Sequence, residues 1–296
     1  MFNLIKIYEK RIWGGIILFL ISLNFVLWSL VLDAASKPDL KIHFFDIGQG
    51  DSILIESKDG TQILLDGGPA NKILPKLGAE LPYFDRSIDA VVVSHPHADH
   101  ISGLIEVLKN YEVGMIIESG VLYHTPEYFE FQRLVNEKNI KKIFIDRELS
   151  LNFLERDEPA NTARLRFVYP NKSYAGQTIK NVHDASLVAM LEYQGRKVLF
   201  MGDAEKNVER ALIRAGKIED VDVLKAGHSG SKTSTTKELL EAARPEYAII
   251  SVGKNSYGHP HAEVVERLTA SAIQTFRTDR DGTITLEIRN GELIWK

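Results

Sequence analysis

The sequence predicts an α/β fold, a four-layer αββα sandwich carried behind an N-terminal transmembrane helix. Three observations predict it. Residues 13–32 are uncharged and almost wholly apolar. About 260 residues remain beyond them, large for one domain but allowed for a layered α/β architecture. In that remainder, short β-branched runs punctuated by glycine alternate with helical patterns in both halves, as two sheets covered by helices on their outer faces require. The expected organisation is a membrane anchor and linker over 1–36 and one folded domain over 37–296.

The anchor comes first. Its length matches the roughly 20 residues a helix needs to cross a bilayer. Lys6, Lys10 and Arg11 precede it, and Asp33, Lys37, Asp39 and Lys41 follow. The positive excess before the helix predicts a single-pass cell-membrane protein with the N-terminus in the cytoplasm and the domain outside. Trp13 and Trp28 suit the two interfaces. A cleaved signal peptide ending near Ala34-Ala35-Ser36 is the competing reading. A buried core helix fits less well, because the segment lacks a polar face.

The domain then reads as strands over 41–46, 52–56 and 61–66, with Gly48, Gly50, Asp59-Gly60 and Gly67-Gly68 as turns. Residues 88–94 are nearly all β-branched and predict a central strand. Helices are expected over 103–110 and 126–138, alternating with strands over 113–118 and 142–146. Strands resume over 164–169, 186–193 and 197–201, with Gly195 at a hairpin. A helix over 204–215, a strand over 221–225, a helix over 235–243, a strand over 247–252 and a helix over 261–270 follow. Strands over 283–289 and 293–295 close the chain around Asn290-Gly291.

Composition bounds the chemistry. The chain has 296 residues, net charge -4 and no cysteine. Disulfides and thiolate metal sites are excluded, so any metal is held by His, Asp or Glu. The mild acidity gives no global electrostatic footprint for nucleic acid.

The decisive segment is Ser94-His95-Pro96-His97-Ala98-Asp99-His100. Three imidazoles and a carboxylate follow directly on the strongest strand. Imidazole and carboxylate suit zinc, manganese or iron. So compact a cluster cannot put every ligand on one ion without strain, but it can serve two adjacent ions. His95 and His97 point one way from an extended segment, while Asp99 and His100 turn toward a second position. A loop of surface histidines is the bland alternative, and the placement after a buried strand argues against it.

This run matches the HxHxDH signature of the metallo-β-lactamase superfamily. The chain resembles the metallo-β-lactamase-like domain of ComEC-type DNA-uptake (competence) proteins. The resemblance is carried by Phe45-Asp46-Ile47-Gly48-Gln49-Gly50-Asp51, Leu65-Asp66-Gly67-Gly68, Ser94 to His100 with Ser102-Gly103-Leu104, and Ser186-Leu187-Val188. It continues through Met201-Gly202-Asp203-Ala204-Glu205, Asp222-Val223-Leu224-Lys225 and Gly230-Ser231-Lys232-Thr233-Ser234. It ends at Ser251-Val252-Gly253-Lys254-Asn255, Gly258-His259-Pro260-His261 and Thr278 to Thr283. The HxHxDH motif points to the superfamily, and the GQGD and GHPH segments to the ComEC-like branch.

The resemblance implies two divalent ions, zinc or manganese. One falls to His95, His97 and His183, the other to Asp99, His100 and His228, with Asp203 bridging. For His183 a loop histidine, and for Asp203 a helix N-cap, are the bland readings. The family reads His-His-Gly-Ser where this chain has His228-Ser229-Gly230-Ser231. The second histidine is missing, which puts a substrate-contacting or proton-donating role, or the occupancy of one metal position, in doubt. His259 resembles a residue that contacts phosphate or assists a leaving group; a helix-capping role is equally open. Asp66 resembles the acidic residue that orients metal ligands. Ser231 and Lys232, before the helix over 235–243, offer groups to a phosphate or form an ordinary capping turn.

By resemblance, the expected activity is hydrolysis of phosphodiesters in DNA outside the membrane, through water activated by two ions about 3.5–4 Å apart, with Asp99 accepting a proton. Hydrolysis of a small ester or lactam is the second expectation. A non-catalytic metal-stabilised DNA-binding module is the third. One candidate span is too few for a transport channel, so the expectation is either a separate membrane channel protein as partner or a stand-alone branch with a different job.

Overall fold

The computed structural model describes residues 2–36, 38–153 and 162–296, with side chains over 12–29, 38–153 and 162–296. The chain divides into two compact units, Met1–Pro38 and Asp39–Lys296. The first is helix α1, Phe2–Ser36. Within it, Ile12–Ser29 is long and apolar enough to cross a membrane. At 1.5 Å per residue that window spans about 27 Å, close to a bilayer's hydrocarbon thickness. Trp13, Phe19, Phe25 and Trp28 all stand exposed along it. The flanking Lys6, Lys10, Arg11, Asp33 and Ala34-Ala35-Ser36 lie outside the residues whose side chains are described.

In the second unit, one mixed sheet holds β1 (Leu40–Phe44), β2 (Ile53–Ser57), β3 (Gln62–Leu65), β4 (Ser87–Val92), β5 (Glu112–Glu118) and β6 (Lys141–Phe144). The other holds β7 (Leu149–Phe153), β8 (Ala163–Tyr169), β9 (Val188–Tyr193), β10 (Arg196–Phe200), β11 (Val223–Lys225), β12 (Tyr247–Ile250) and β13 (Gln274–Arg277). The last two strands, β14 (Ile284–Arg289) and β15 (Glu292–Trp295), return to the first sheet, giving the order β15-β14-β1-β2-β3-β4-β5-β6. The second sheet runs β13-β12-β11-β10-β9-β8-β7.

Strand alternation divides the apolar residues among three cores. Phe44, Ile55 and Val92 of the first sheet meet Phe167, Leu191 and Phe200 of the second in the middle. The first sheet's outer face packs against α2 (Ile73–Glu80), α3 (Ala98–Asn110) and α4 (Pro126–Glu137) through Leu64, Val91, Leu104 and Phe131. The second sheet's outer face packs against α5 (Lys206–Arg214), α6 (Lys237–Ala243) and α7 (Ala262–Ala270) through Leu199, Leu224, Leu239 and Val264. A last short helix, α8, spans Thr278–Asp281. This is the αββα sandwich that the sequence predicts. Each buried Leu or Phe contributes roughly 1.5–3 kcal/mol.

Four elements escape the sequence reading. Helix α2 contains Pro75 and Gly78, both helix breakers by propensity. Pro75 is tolerated because it lies in the first turn, where its missing N–H would have no partner. Strands β7 and β13 lie at the edges of their sheet, and α8 is a single turn. One boundary also moves. The helix expected over 204–215 begins at Lys206 with Glu205 as its N-cap, so Asp203 is not the cap.

Candidate metal centre

The site forms where the ends of β4, β10 and β11 face one another across the sandwich. After β4 the chain stays extended through His97, which holds φ -73 and ψ 150 as the N-cap of α3. Helix α3 then places Asp99 and His100 in its first turn. Its close approach depends on small residues. A Cβ on Gly103 would lie 1.8 Å from the Gly67 carbonyl oxygen, and one on Gly50 would lie 2.0 Å from the Asp99 oxygen.

Asp66, just after β3, organises this loop. Its Oδ1 accepts from Ser94 N at 2.8 Å, and its Oδ2 accepts from Ser94 Oγ at 2.5 Å. His100 Nδ1 lies 2.8 Å from Oδ2. A carboxylate there fixes the ring's tautomer and aims Nε2 inward. That Nε2 lies 3.5 Å from Asp203 Oδ1.

The second sheet supplies the facing groups. Asp203 follows β10, and its N–H donates to Ser186 Oγ at 3.0 Å. His183 sits in the 3-10 turn Val182–Ala185, capped by Asn181. His228 follows β11 at φ 50, a left-handed conformation that only the loop packing holds. His95 Nε2 and His228 Nε2 each lie 3.5 Å from Asp203 Oδ2, and His183 Nε2 lies 3.9 Å from it. His97 Nδ1 is 3.2 Å from His183 Nε2. Donor atoms of His95, His97, His183 and Asp203 all fall within 4.8 Å of one another.

The chemistry of these donors fits divalent metal. His95 Nε2 and His228 Nδ1 are buried without any hydrogen-bond partner. Buried polar atoms are seldom left so, and a cation would satisfy Nε2. Burial, together with neighbouring imidazoles, holds His95 well below its ordinary pKa and His97 at about 4. His183 is lowered too, chiefly by burial. Neutral imidazoles keep the lone pair that ligation needs. Burial alone would raise Asp203, but His100 and His95 outweigh it and keep the carboxylate ionised. Burial alone would lower His100, but Asp203 and Asp66 raise it, so a cation bound there takes the place of the Nε2 proton.

All seven expected ligands therefore converge. Asp99 stands at the mouth, its side chain about one-third exposed, with Oδ2 3.9 Å from His100 Nε2. His228 Nε2 approaches the same Asp203 oxygen as His95 and His183, Oδ2, while His100 approaches Oδ1. His259 borders the cluster, its ring 5.3 Å from that of His228. Asn255 fixes its backbone on both sides.

Two expected residues do not join the site. Ser231 Oγ pairs with Thr233 Oγ1 at 3.0 Å, and Lys232 is exposed. The N-terminus of α6 is already taken. The carboxylate of Glu209, itself buried, accepts from the N–H groups of Thr235 and Thr236 just before the helix.

Glu205 was missed. Its Oε1 lies 3.5 Å from His183 Nδ1 and 3.6 Å from His228 Nδ1. It is anchored by Thr233 Oγ1 at 2.7 Å and Asn181 Nδ2 at 3.0 Å. Its position two residues past Asp203, in the same turn, was the available signal. Ser229, where a second histidine was expected, is buried and accepts from Gln49 Nε2 at 2.9 Å.

This geometry has counterparts. Residues 45–254 match the family model described as metallo-beta-lactamase superfamily. The chain belongs to that superfamily. As a member, it has the clustered His and Asp residues of a divalent-metal hydrolase fold. It is 27% identical to ComE operon protein 3 of Bacillus subtilis over 90% of this chain and 35% of that protein. It is 28% identical to Competence protein ComA of Neisseria gonorrhoeae over 88% of this chain and 34% of that one. The chain thus spans about a third of the length of these curated relatives. The fold is similar to that of CmlA beta-hydroxylase, with TM-score 0.54 at 14% identity over 85% of this chain and 54% of that one.

Proposed function

We propose that the chain is a metal-dependent phosphodiesterase that cleaves DNA outside the cytoplasmic membrane. The observation that carries the metal-dependent part is the convergence of four imidazoles, His95, His100, His183 and His228, on the two oxygens of buried Asp203, with His97 in the same cluster. The similarity to a competence protein supports DNA as the substrate. The charge order around α1 supports a domain outside the membrane.

His95, His97, His183 and Asp203 would hold one divalent ion, zinc or manganese. Asp99, His100 and Asp203 would hold a second, with His228 at the shared edge. Such ions lower the pKa of water and stabilise charge on phosphoryl oxygens. Asp99, at the mouth and partly exposed, is placed to accept the proton of an attacking water. His259 is lowered by burial and by His228, so it is neutral at pH 7. A neutral ring suits hydrogen-bond donation to the leaving oxygen. Asp66 and Glu205 orient the ligating rings from behind.

The test is the purified chain with Mn²⁺ or Zn²⁺, assayed on DNA and bis-p-nitrophenyl phosphate, with nitrocefin alongside. Cleavage of both phosphodiesters is expected. A sample that binds metal and leaves both untouched contradicts the proposal, and turnover of nitrocefin alone moves the substrate to lactams.

A further inference from the structure

Beneath the metal centre lies an ion pair that the reaction does not use directly. Lys225 continues the inward alternation of β11 after Val223 and ends between the sheets. It is fully buried, and among the described residues it is the one lysine or arginine that is. Its Nζ donates to Asp51 Oδ2 at 2.8 Å and to the Ala226 carbonyl at 3.0 Å. Asp51 Oδ1 is also 2.8 Å away. Asp51 comes from the other sheet, at the end of the Gly48-Gln49-Gly50 loop between β1 and β2. It is 2% exposed.

The pair is part of the site's floor. Donor atoms of Asp51, His100 and Asp203 fall within 4.8 Å of one another. An enclosed cavity of about 20 Å³ adjoins it, lined by Asp51, Asp66, Ser94 and Lys225 among others. That is room for about one water. Bulk solvent therefore does not screen these charges.

Fold stability alone is a poor reason for such a pair. Buried ion pairs can often be replaced by apolar residues without loss. Three carboxylates, Asp51, Asp66 and Asp203, share this floor. Asp66 and Asp203 both face His100, and Lys225 is the cation paired with Asp51.

We propose that Asp51 and Lys225 are a positioning pair that sets the charge under the metal centre, Asp51 drawing a cation toward Asp203 and His100 and Lys225 limiting that pull. The proposal rests on the metal-centre reading and not on the substrate. It predicts effects of opposite sign. Asp51→Asn leaves a buried ammonium facing the site and weakens metal binding. Lys225→Gln keeps a hydrogen-bond donor to Asp51, leaves its carboxylate uncompensated, and strengthens it.

The experiment is Zn²⁺ affinity of the full chain in detergent, by competition with a chelating dye, for wild type, Asp51→Asn and Lys225→Gln. A loss of about tenfold or more in Asp51→Asn and a gain of about threefold or more in Lys225→Gln are expected, each tenfold being 1.4 kcal/mol. Changes of the same sign, or none, overturn the proposal. If a variant does not fold without metal, its folding is titrated with Zn²⁺ by circular dichroism. Lys225→Gln is then rescued and Asp51→Asn is not; equal rescue or equal failure overturns the proposal. A wild type that binds no Zn²⁺ or Mn²⁺ sinks the metal-centre reading itself, a distinct outcome.

Discussion

The two halves of the metal centre are built on the same plan with different tightness. On the first sheet, Asp66 touches His100 at 2.8 Å and also holds Ser94 by backbone and hydroxyl. On the second, Glu205 stands 3.5 and 3.6 Å from His183 and His228, beyond hydrogen-bond length. The His95 and His100 side chains are 0% and 2% exposed, whereas those of His183 and His228 are 13% and 22% exposed; Asp99, at the rim of the first half, is the exception there. The carboxylate of one half hydrogen-bonds its ligating ring directly, and the carboxylate of the other stands farther from the rings it faces. Preorganised ligands cost nothing to order when a cation arrives, and loose ones do. The first half should therefore dominate affinity, and the second should tune turnover.

The largest expected effect comes from breaking the tight half. Asp66→Ala leaves Ser94 N and His100 Nδ1 buried without an acceptor. It should cost about 3 kcal/mol in thermal or denaturant unfolding and about a hundredfold in metal affinity. Next is the matching carboxylate. Glu205→Gln should cost only about tenfold in metal affinity by dye competition. If it costs as much as Asp66→Ala, the contrast between halves is wrong. Third, His259→Gln should leave metal content unchanged and lower kcat/KM on DNA about tenfold, the worth of one hydrogen bond to a charged oxygen. Smallest is Ser229→Ala. It removes the bond from Gln49 and should cost about 1 kcal/mol or less, a shift of a few degrees in a thermal scan.

The same contrast governs what the sequence reveals. The tight half is local. His95, His97, Asp99 and His100 lie in one run because a buried strand passes directly into a helix, and that pattern is legible without a structure. Most strands were legible too, because their β-branched runs end at glycine turns. The loose half is assembled from three separate loops around residues 183, 203 and 228. The spacing of His183 and Asp203 was readable only by resemblance. His228 follows β11 in a left-handed conformation that no local sequence pattern announces, and its ring reaches Asp203 Oδ2. Glu205 looked like an ordinary helix start, and the pairing of Asp51 with Lys225 joins residues 174 positions apart. That Glu209 caps the N–H groups before α6 is not legible either, because it joins residues 26 and 27 positions apart.

Asp203 is the carboxylate that both metal positions would share, and one measurement tests that directly. Divalent metal per chain is determined by elemental analysis in wild type and Asp203→Ala, both purified without chelator, with DNA cleavage followed in the same samples. The account predicts about two ions per wild-type chain, as a two-metal hydrolytic site requires, and loss of both ions and of cleavage in the variant. A wild type that carries no divalent metal, or an Asp203→Ala chain that keeps its full complement, contradicts it.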